Sequence, residues 1–313
     1  MRKIAFIFSG QGAQYTGMGK ELFDELVSAR EVFSNVDRAI ERKISDICFS
    51  GTEEEQDKTI NTQPCVFSVD LAVAKVLEAK GIVPSAVAGF SLGEYAALAY
   101  SGVISNEKAA VLVQKRAELM QAAVPEGQGA MAAIIGLAPQ VIDDLCATIN
   151  EGYAAISNYN SPQQIVVAGD ALAVDSILAK VPELGGRGVK LSVSVPSHCL
   201  LMKDAGEGIN EILKDMKLSV PSMPIYFNYS GKFTEDVEEI KQMMVNQIQY
   251  PVKWTQTILN MYESGINTFI ECGPGKTLCG LAKKILKGKE FEVFNVENLT
   301  TLNKTLEALA NES

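Results

Sequence analysis

Two rhythms of apolar residues alternate along this chain. Short apolar runs predict buried strands at Ile4–Phe8, Ser85–Gly89, Ile225–Asn228, Asn267–Glu271 and Phe291–Phe294. Between them, apolar positions recur at helical spacing. This predicts helices over 18–36 (Met18, Leu22, Leu26, Phe33), 64–79 (Val66, Val69, Val73, Leu77), 92–100, 105–122, 200–214, 235–247, 253–263, from the turn at Gly275 to 287, and 300–310. Turn residues punctuate the switches, notably Ser9-Gly10-Gln11-Gly12 and Cys272-Gly273-Pro274-Gly275. Strands alternating with helices imply a mostly parallel sheet covered on both faces.

The stretch from 127 to 195 has its own rhythm. Ala130–Ile135, Tyr153–Ser157, Gln164–Ala168 and Val189–Val195 read as strands, and Pro139–Ile149 and Ala171–Leu178 as helices. Residues 158–163 form a cluster of turn-forming side chains. The order βαββαβ is that of a ferredoxin-like unit. The expected organisation is therefore an α/β body built from 1–126 and 196–313, with 127–195 inserted as a small subdomain. Pro125-Glu126-Gly127 and Pro196 would be the crossings between them.

Composition narrows the class. The 313 residues are 47% hydrophobic and 21% charged, enough to build a large core and inconsistent with disorder. The net charge of −10 argues against general binding to nucleic acid or to anionic membranes. No window approaches the ~18 apolar residues of a membrane span. The apolar run after Met1-Arg2-Lys3 is too short for a signal peptide, so a cytoplasmic location is expected. Cys48, Cys65, Cys146, Cys199, Cys272 and Cys279 form no C-x-x-C pair, and the chain has one histidine. A Cys/His zinc site is not expected, and free thiols are.

Gly89-Phe90-Ser91-Leu92-Gly93 is a G-x-S-x-G pattern between a predicted strand and a predicted helix. That setting suits a nucleophile elbow: small residues let neighbouring backbone pass while the serine Oγ stands at the strand's carboxyl end. The N–H of the next residue, Leu92, would then be free to face an oxyanion. Three fixed positions recur by chance in about one chain in ten of this length. A second reading also fits, in which Ser91 caps the helix with Glu94 completing a capping box. A serine nucleophile needs a base, and His198 is the only histidine. It follows the crossing at Pro196, where a purely structural role is equally open. Cys199 beside it is an alternative nucleophile. The 38 acidic residues single out no third member. Arg116, next to Lys115 on a predicted helix, reads as part of a solvated face; its alternative is a bidentate carboxylate clamp.

Five segments together resemble a known family: Ser9-Gly10-Gln11-Gly12-Ala13-Gln14, Gly89 to Tyr95, Gln128 to Ala133, Val195-Pro196-Ser197-His198-Cys199 and Glu271 to Lys276. In this order, across residues 4 to about 285, they look like the blocks of discrete malonyl-CoA:acyl carrier protein transacylases. The resemblance implies an α/β-hydrolase-like domain carrying a ferredoxin-like insertion. It also implies a ping-pong reaction in which malonyl passes from CoA to serine and then to the phosphopantetheine thiol of acyl carrier protein. Ser91 falls on the family's nucleophile and His198 on its base. Gln11 and Leu92 fall on the residues whose N–H groups form the oxyanion hole. Arg116 falls on the arginine that pairs with the malonyl carboxylate, which overturns the solvated-face reading. Gln247 falls on the residue whose main-chain carbonyl holds the histidine. Phe90 departs from the histidine commonly found before the nucleophile, Ser9 replaces a common proline, and Ile248-Gln249-Tyr250 departs from Leu-Tyr-Asn.

The resemblance implies malonyl-CoA and holo acyl carrier protein as partners, a monomer, and no cofactor or metal beyond the CoA thioester substrate. Carrier proteins are generally acidic. The basic run Lys276, Lys283, Lys284, Lys287 and Lys289, with Arg187 and Lys190, would offset the chain's negative charge locally. Three rivals remain: a serine thioesterase, a non-catalytic carrier-binding subunit, and an acyltransferase loading another acyl unit for polyketides.

Overall fold

The computed structural model describes residues 2–193 and 195–311. In chain order the elements begin with β1 (Ile4–Phe8), α1 (Lys20–Glu25), α2 (Val27–Ala39), α3 (Ile44–Ser50), α4 (Glu53–Asp57), α5 (Thr59–Ala79), β2 (Ala86–Gly89), α6 (Gly93–Tyr100) and α7 (Asn106–Ala123). Then come β3 (Gly129–Ile135), α8 (Pro139–Ala147), β4 (Ala154–Ser161), β5 (Gln164–Asp170), α9 (Ala171–Lys180) and β6 (Arg187–Lys190). The chain continues through α10 (Lys203–Lys214), β7 (Ile225–Tyr226), α11 (Val237–Gln249), α12 (Trp254–Glu263), β8 (Thr268–Cys272), α13 (Thr277–Ile285), β9 (Glu292–Val296) and α14 (Leu299–Ala310).

The large sheet has the order β7-β2-β1-β8-β9, with every pairing parallel. β1 is central and lies in register from Ala5 opposite Ala86 to Phe8 opposite Gly89, and from Ile4 opposite Thr268 to Phe8 opposite Cys272. The loops after β1, β2 and β8 therefore emerge together at the carboxyl edge, where open α/β sheets bind their ligands. Phe6 and Phe8 point into one apolar layer with α5, α6 and α7. Ala5 and Ile7 point into the other, with Trp254, Phe269 and Leu281.

The second sheet, of order β4-β5-β3-β6, is antiparallel throughout, as the βαββαβ order requires. It has its own core around Ile134, Ile142, Val167, Val174 and Ile177. Gly129 lies against the ring of Pro196, so the chain enters and leaves this sheet at adjacent points.

Several predicted elements differ in extent. The helix expected over 18–36 is two helices, because Leu26 is extended (φ −122°, ψ 123°), and the second runs on to Ala39. The helix expected at 64–79 starts at Thr59 and carries Pro64 in its first turns. Short α3 and α4 carry too few apolar residues to show a period. The turn cluster at 158–163 is largely strand. β4 runs to Ser161 through two register shifts, and its polar end bridges to the large body, where the Tyr159 N–H donates to the Val252 carbonyl at 2.9 Å. The strand expected at Val189–Val195 covers only Arg187–Lys190, and Ser194 lies outside the described residues. No described helix is long and apolar enough to cross a membrane.

Candidate active site

The elbow is built from β2, Phe90-Ser91-Leu92 and α6. Ser91 adopts φ 52°, a left-handed conformation that a non-glycine residue takes only when its surroundings impose it. Two glycines make the turn possible. A Cβ on Gly89 would sit 1.9 Å from the Gly93 carbonyl carbon, and one on Gly93 would sit 2.4 Å from the Phe8 carbonyl oxygen. The capping-box reading fails. α6 starts at Gly93 without a side-chain cap, the Ser91 hydroxyl faces His198, and the Glu94 side chain is buried beneath the turn. Phe90 packs edge-on against Trp254, with ring centroids 5.4 Å apart, so the departure from histidine is absorbed by an aromatic contact.

Ser91 Oγ lies 2.7 Å from His198 Nε2. His198 is also left-handed (φ 62°) and is anchored by its own N–H donating to the Ile248 carbonyl at 3.0 Å. Its Nδ1 lies 2.6 Å from the Gln247 carbonyl oxygen. A carbonyl only accepts, so the proton sits on Nδ1, and the Nε2 lone pair faces the serine. Burial, and then the nearby Arg116 charge, lowers the His198 pKa to about 3, against a smaller raising effect of the Gln247 carbonyl. The imidazole is therefore neutral at physiological pH and available as a base.

Arg116 is 1% exposed, which removes the solvated-face reading; its neighbour Lys115 takes that face and pairs with Glu118 at 2.7 Å. One Nη donates to Gln63 Oε1 at 2.6 Å; the other lies 3.1 Å from Gln247 Oε1 and 3.2 Å from Ser91 Oγ. Its Nε is buried without a protein acceptor among the described residues. Among the described residues it forms no ion pair, although burial works against its charge. A buried guanidinium without a counter-ion, with one Nη 3.2 Å from Ser91 Oγ, is suited to receive an anionic ligand group.

Gln11 lies in the loop after β1. Its side chain accepts from Thr59 Oγ1 at 3.0 Å, and the loop packs on the elbow through Gly10 against Phe90. The backbone N–H groups of Gln11 and Leu92 donate to no protein acceptor among the described residues. Ser91, His198, Arg116 and Gln11 line a cavity of about 530 Å³ between the two sheets, whose far wall includes Met131, Asn158 and Val166 from the small one. Cys199 is a poor nucleophile: its Sγ lies 3.2 Å from the Pro196 carbonyl and burial raises its pKa to about 12.

The sequence reading missed Gln63 and Asn228, and it named Gln247 only for its carbonyl. The Gln247 amide also donates to the Ser91 carbonyl at 2.6 Å. Asn228 had one available signal, its place at the carboxyl end of a predicted strand beside β2.

A family profile described as "Acyl transferase domain" matches residues 5–307. The malonyl CoA-acyl carrier protein transacylase of Bacillus subtilis is 36% identical over 316 aligned residues, covering 100% of this chain and 99% of the relative. The transacylase of that name from Clostridium perfringens superposes with a TM-score of 0.94 at 38% identity, covering 99% of this chain and 98% of that one. A solved complex of a type II PKS acyl-carrier protein with its malonyl-transacylase matches with a TM-score of 0.94 at 36% identity, covering 98% of this chain and 99% of that one. The chain belongs to the acyl transferase family, among the malonyl CoA-acyl carrier protein transacylases.

Proposed function

We propose that this protein moves malonyl from malonyl-CoA to the phosphopantetheine thiol of holo acyl carrier protein through an ester on Ser91, supplying fatty-acid synthesis. One observation carries the reading: the Ser91–His198 pair has, 3.2 Å from the attacking oxygen, a buried arginine that pairs with no acid among the described residues. In malonyl the carboxylate carbon is two C–C bonds from the reacting carbonyl carbon, about 2.5 Å away. A cation that grips so short a diacid must stand close to the nucleophile, as Arg116 does. An uncharged acyl group would leave that guanidinium unpaired, which disfavours a general thioesterase.

In the first half-reaction His198 Nε2 takes the Ser91 proton as Oγ adds to the thioester carbon. The oxyanion accepts from the N–H groups of Gln11 and Leu92. Collapse breaks the C–S bond, and His198 returns its proton to the CoA sulfur. In the second, His198 deprotonates the carrier thiol, sulfur adds to the ester, and the C–O bond breaks with the proton returning to Ser91. Gln247 holds the imidazole's tautomer and orientation, the role an aspartate has in other triads. Arg116 fixes the far end of the acyl group, so binding energy there orients the carbonyl.

Intact-protein mass spectrometry after brief exposure to malonyl-CoA tests this. A malonyl adduct on the wild type, absent from Ser91→Ala and discharged by holo carrier protein, is expected. An untouched protein with untouched malonyl-CoA would refute it.

A further inference from the structure

Both backbone polar groups of Ser91 are held by side chains. Gln247 serves the carbonyl, and Asn228 Oδ1 accepts from the Ser91 N–H at 2.7 Å. An asparagine amide can present either its oxygen or its nitrogen, so something must choose. Here the choice is made beneath the turn. Asn228 Nδ2 donates to the Gly89 carbonyl at 2.6 Å and to Glu94 Oε2 at 2.7 Å, which uses both of its hydrogens. The Asn228 backbone N–H donates to the same Glu94 oxygen at 2.7 Å. The other face of the amide, its oxygen, is left for Ser91. Asn228 and Glu94 are both fully buried, and neither lines the cavity.

We infer that Glu94 and Asn228 form a positioning pair: Glu94 fixes the orientation of the Asn228 amide, and Asn228 holds Ser91 in the left-handed conformation that aims Oγ at His198. This rests on Ser91 being the nucleophile. The work assigned to Glu94 is acceptance through one oxygen, which glutamine can also perform. Burial raises the Glu94 pKa to about 8, so at neutral pH the carboxyl is largely uncharged and glutamine resembles it closely. Because neither residue touches substrate, their loss should act on kcat and not on the KM for malonyl-CoA.

The experiment measures the rate at which a fluorophosphonate labels Ser91, alongside steady-state kinetics and thermal melts, in Glu94→Ala, Glu94→Gln, Asn228→Ala and the Glu94→Ala/Asn228→Ala pair. Misplacing a reacting atom by about 1 Å costs on the order of a hundredfold. Labelling and kcat of Glu94→Ala and Asn228→Ala are therefore expected to fall by about that factor, with the KM for malonyl-CoA within about threefold. Glu94→Gln should stay within about threefold of wild type, and the double variant should be no slower than Asn228→Ala, since one residue acts through the other. Glutamine as slow as alanine, additive losses in the pair, or wild-type labelling of folded Asn228→Ala would each overturn the inference. The last comparison holds even if Glu94→Ala does not fold. A wild type that no fluorophosphonate labels would instead overturn the assignment of Ser91 itself.

Discussion

Replacing Arg116 with alanine tests the part of the site that distinguishes malonyl from other acyl groups. In the variant the malonyl carboxylate enters the same buried wall without its cation. Removing one partner of a buried ion pair costs about 3–5 kcal/mol, and water filling the vacated space favours the lower end. At about 1.4 kcal/mol per decade, 3 kcal/mol is a loss of about 150-fold in kcat/KM for malonyl-CoA. The substitution also removes the contacts to Ser91 Oγ and Gln247 Oε1, at 3.2 and 3.1 Å, and lifts a charge that depresses His198. Those effects fall on every acyl donor alike and cancel in a ratio. The assay is therefore the ratio of kcat/KM for malonyl-CoA to that for acetyl-CoA, measured by transfer to holo carrier protein in both enzymes. The ratio should fall by about two orders of magnitude. An unchanged ratio would show that Arg116 serves the architecture of Ser91 and not the carboxylate.

Neutralising Lys283, Lys284 and Lys287 with glutamine should raise the KM for holo carrier protein and leave malonyl loading from CoA unchanged; equal carrier kinetics would remove this basic cluster from the docking face. Gly89→Ala should give insoluble or inactive protein, because the new Cβ would lie 1.9 Å from Gly93 backbone; an active, folded variant would show that the elbow can relax. Unfolded His198 gains its proton below about pH 6.5, whereas the folded residue resists until about 3. In that window the unfolded state binds more protons, so this contribution is fully present above about 6.5 and is lost as pH falls. Denaturant titrations should show a shallower acid-side decline in His198→Gln than in the wild type, and identical slopes would refute the shift.

The Ser91–His198 contact was legible because each residue carries a local mark: Ser91 sits in a patterned turn, and His198 is the chain's one histidine. The parallel sheet was legible because its central strands are buried on both faces and read as apolar runs. Other features depend on contacts that sequence spacing does not encode. The break at Leu26 falls within an apolar pair, Leu26-Val27, and Val27 opens the next helix while 65% exposed. The end of β4 is written largely in asparagine and serine, poor strand signals, and is held by pairing with residues nearly a hundred positions away. Arg116 looks like any helical arginine; only the packing of α7 against α5 buries it beside Gln63. The Asn228–Glu94 contact spans 134 positions and has no periodic signature.

The charge content of the site explains why a backbone carbonyl, and not a carboxylate, holds the histidine. His198 is neutral, and Glu94, its pKa raised to about 8 by burial, is largely neutral too. The unliganded site thus carries one positive charge, on Arg116. A carboxylate in place of the Gln247 carbonyl would stand near that arginine, since the Gln247 side chain already touches it at 3.1 Å. It would compete with malonyl for the guanidinium. The carbonyl fixes the tautomer through a 2.6 Å contact and adds no net charge. If Arg116 receives the malonyl carboxylate as proposed, the substrate supplies the negative charge that offsets the Arg116 field, the second cause of the depressed histidine. On that reading the base strengthens when a dicarboxylic acyl group enters, so the clamp would contribute to chemistry as well as to binding.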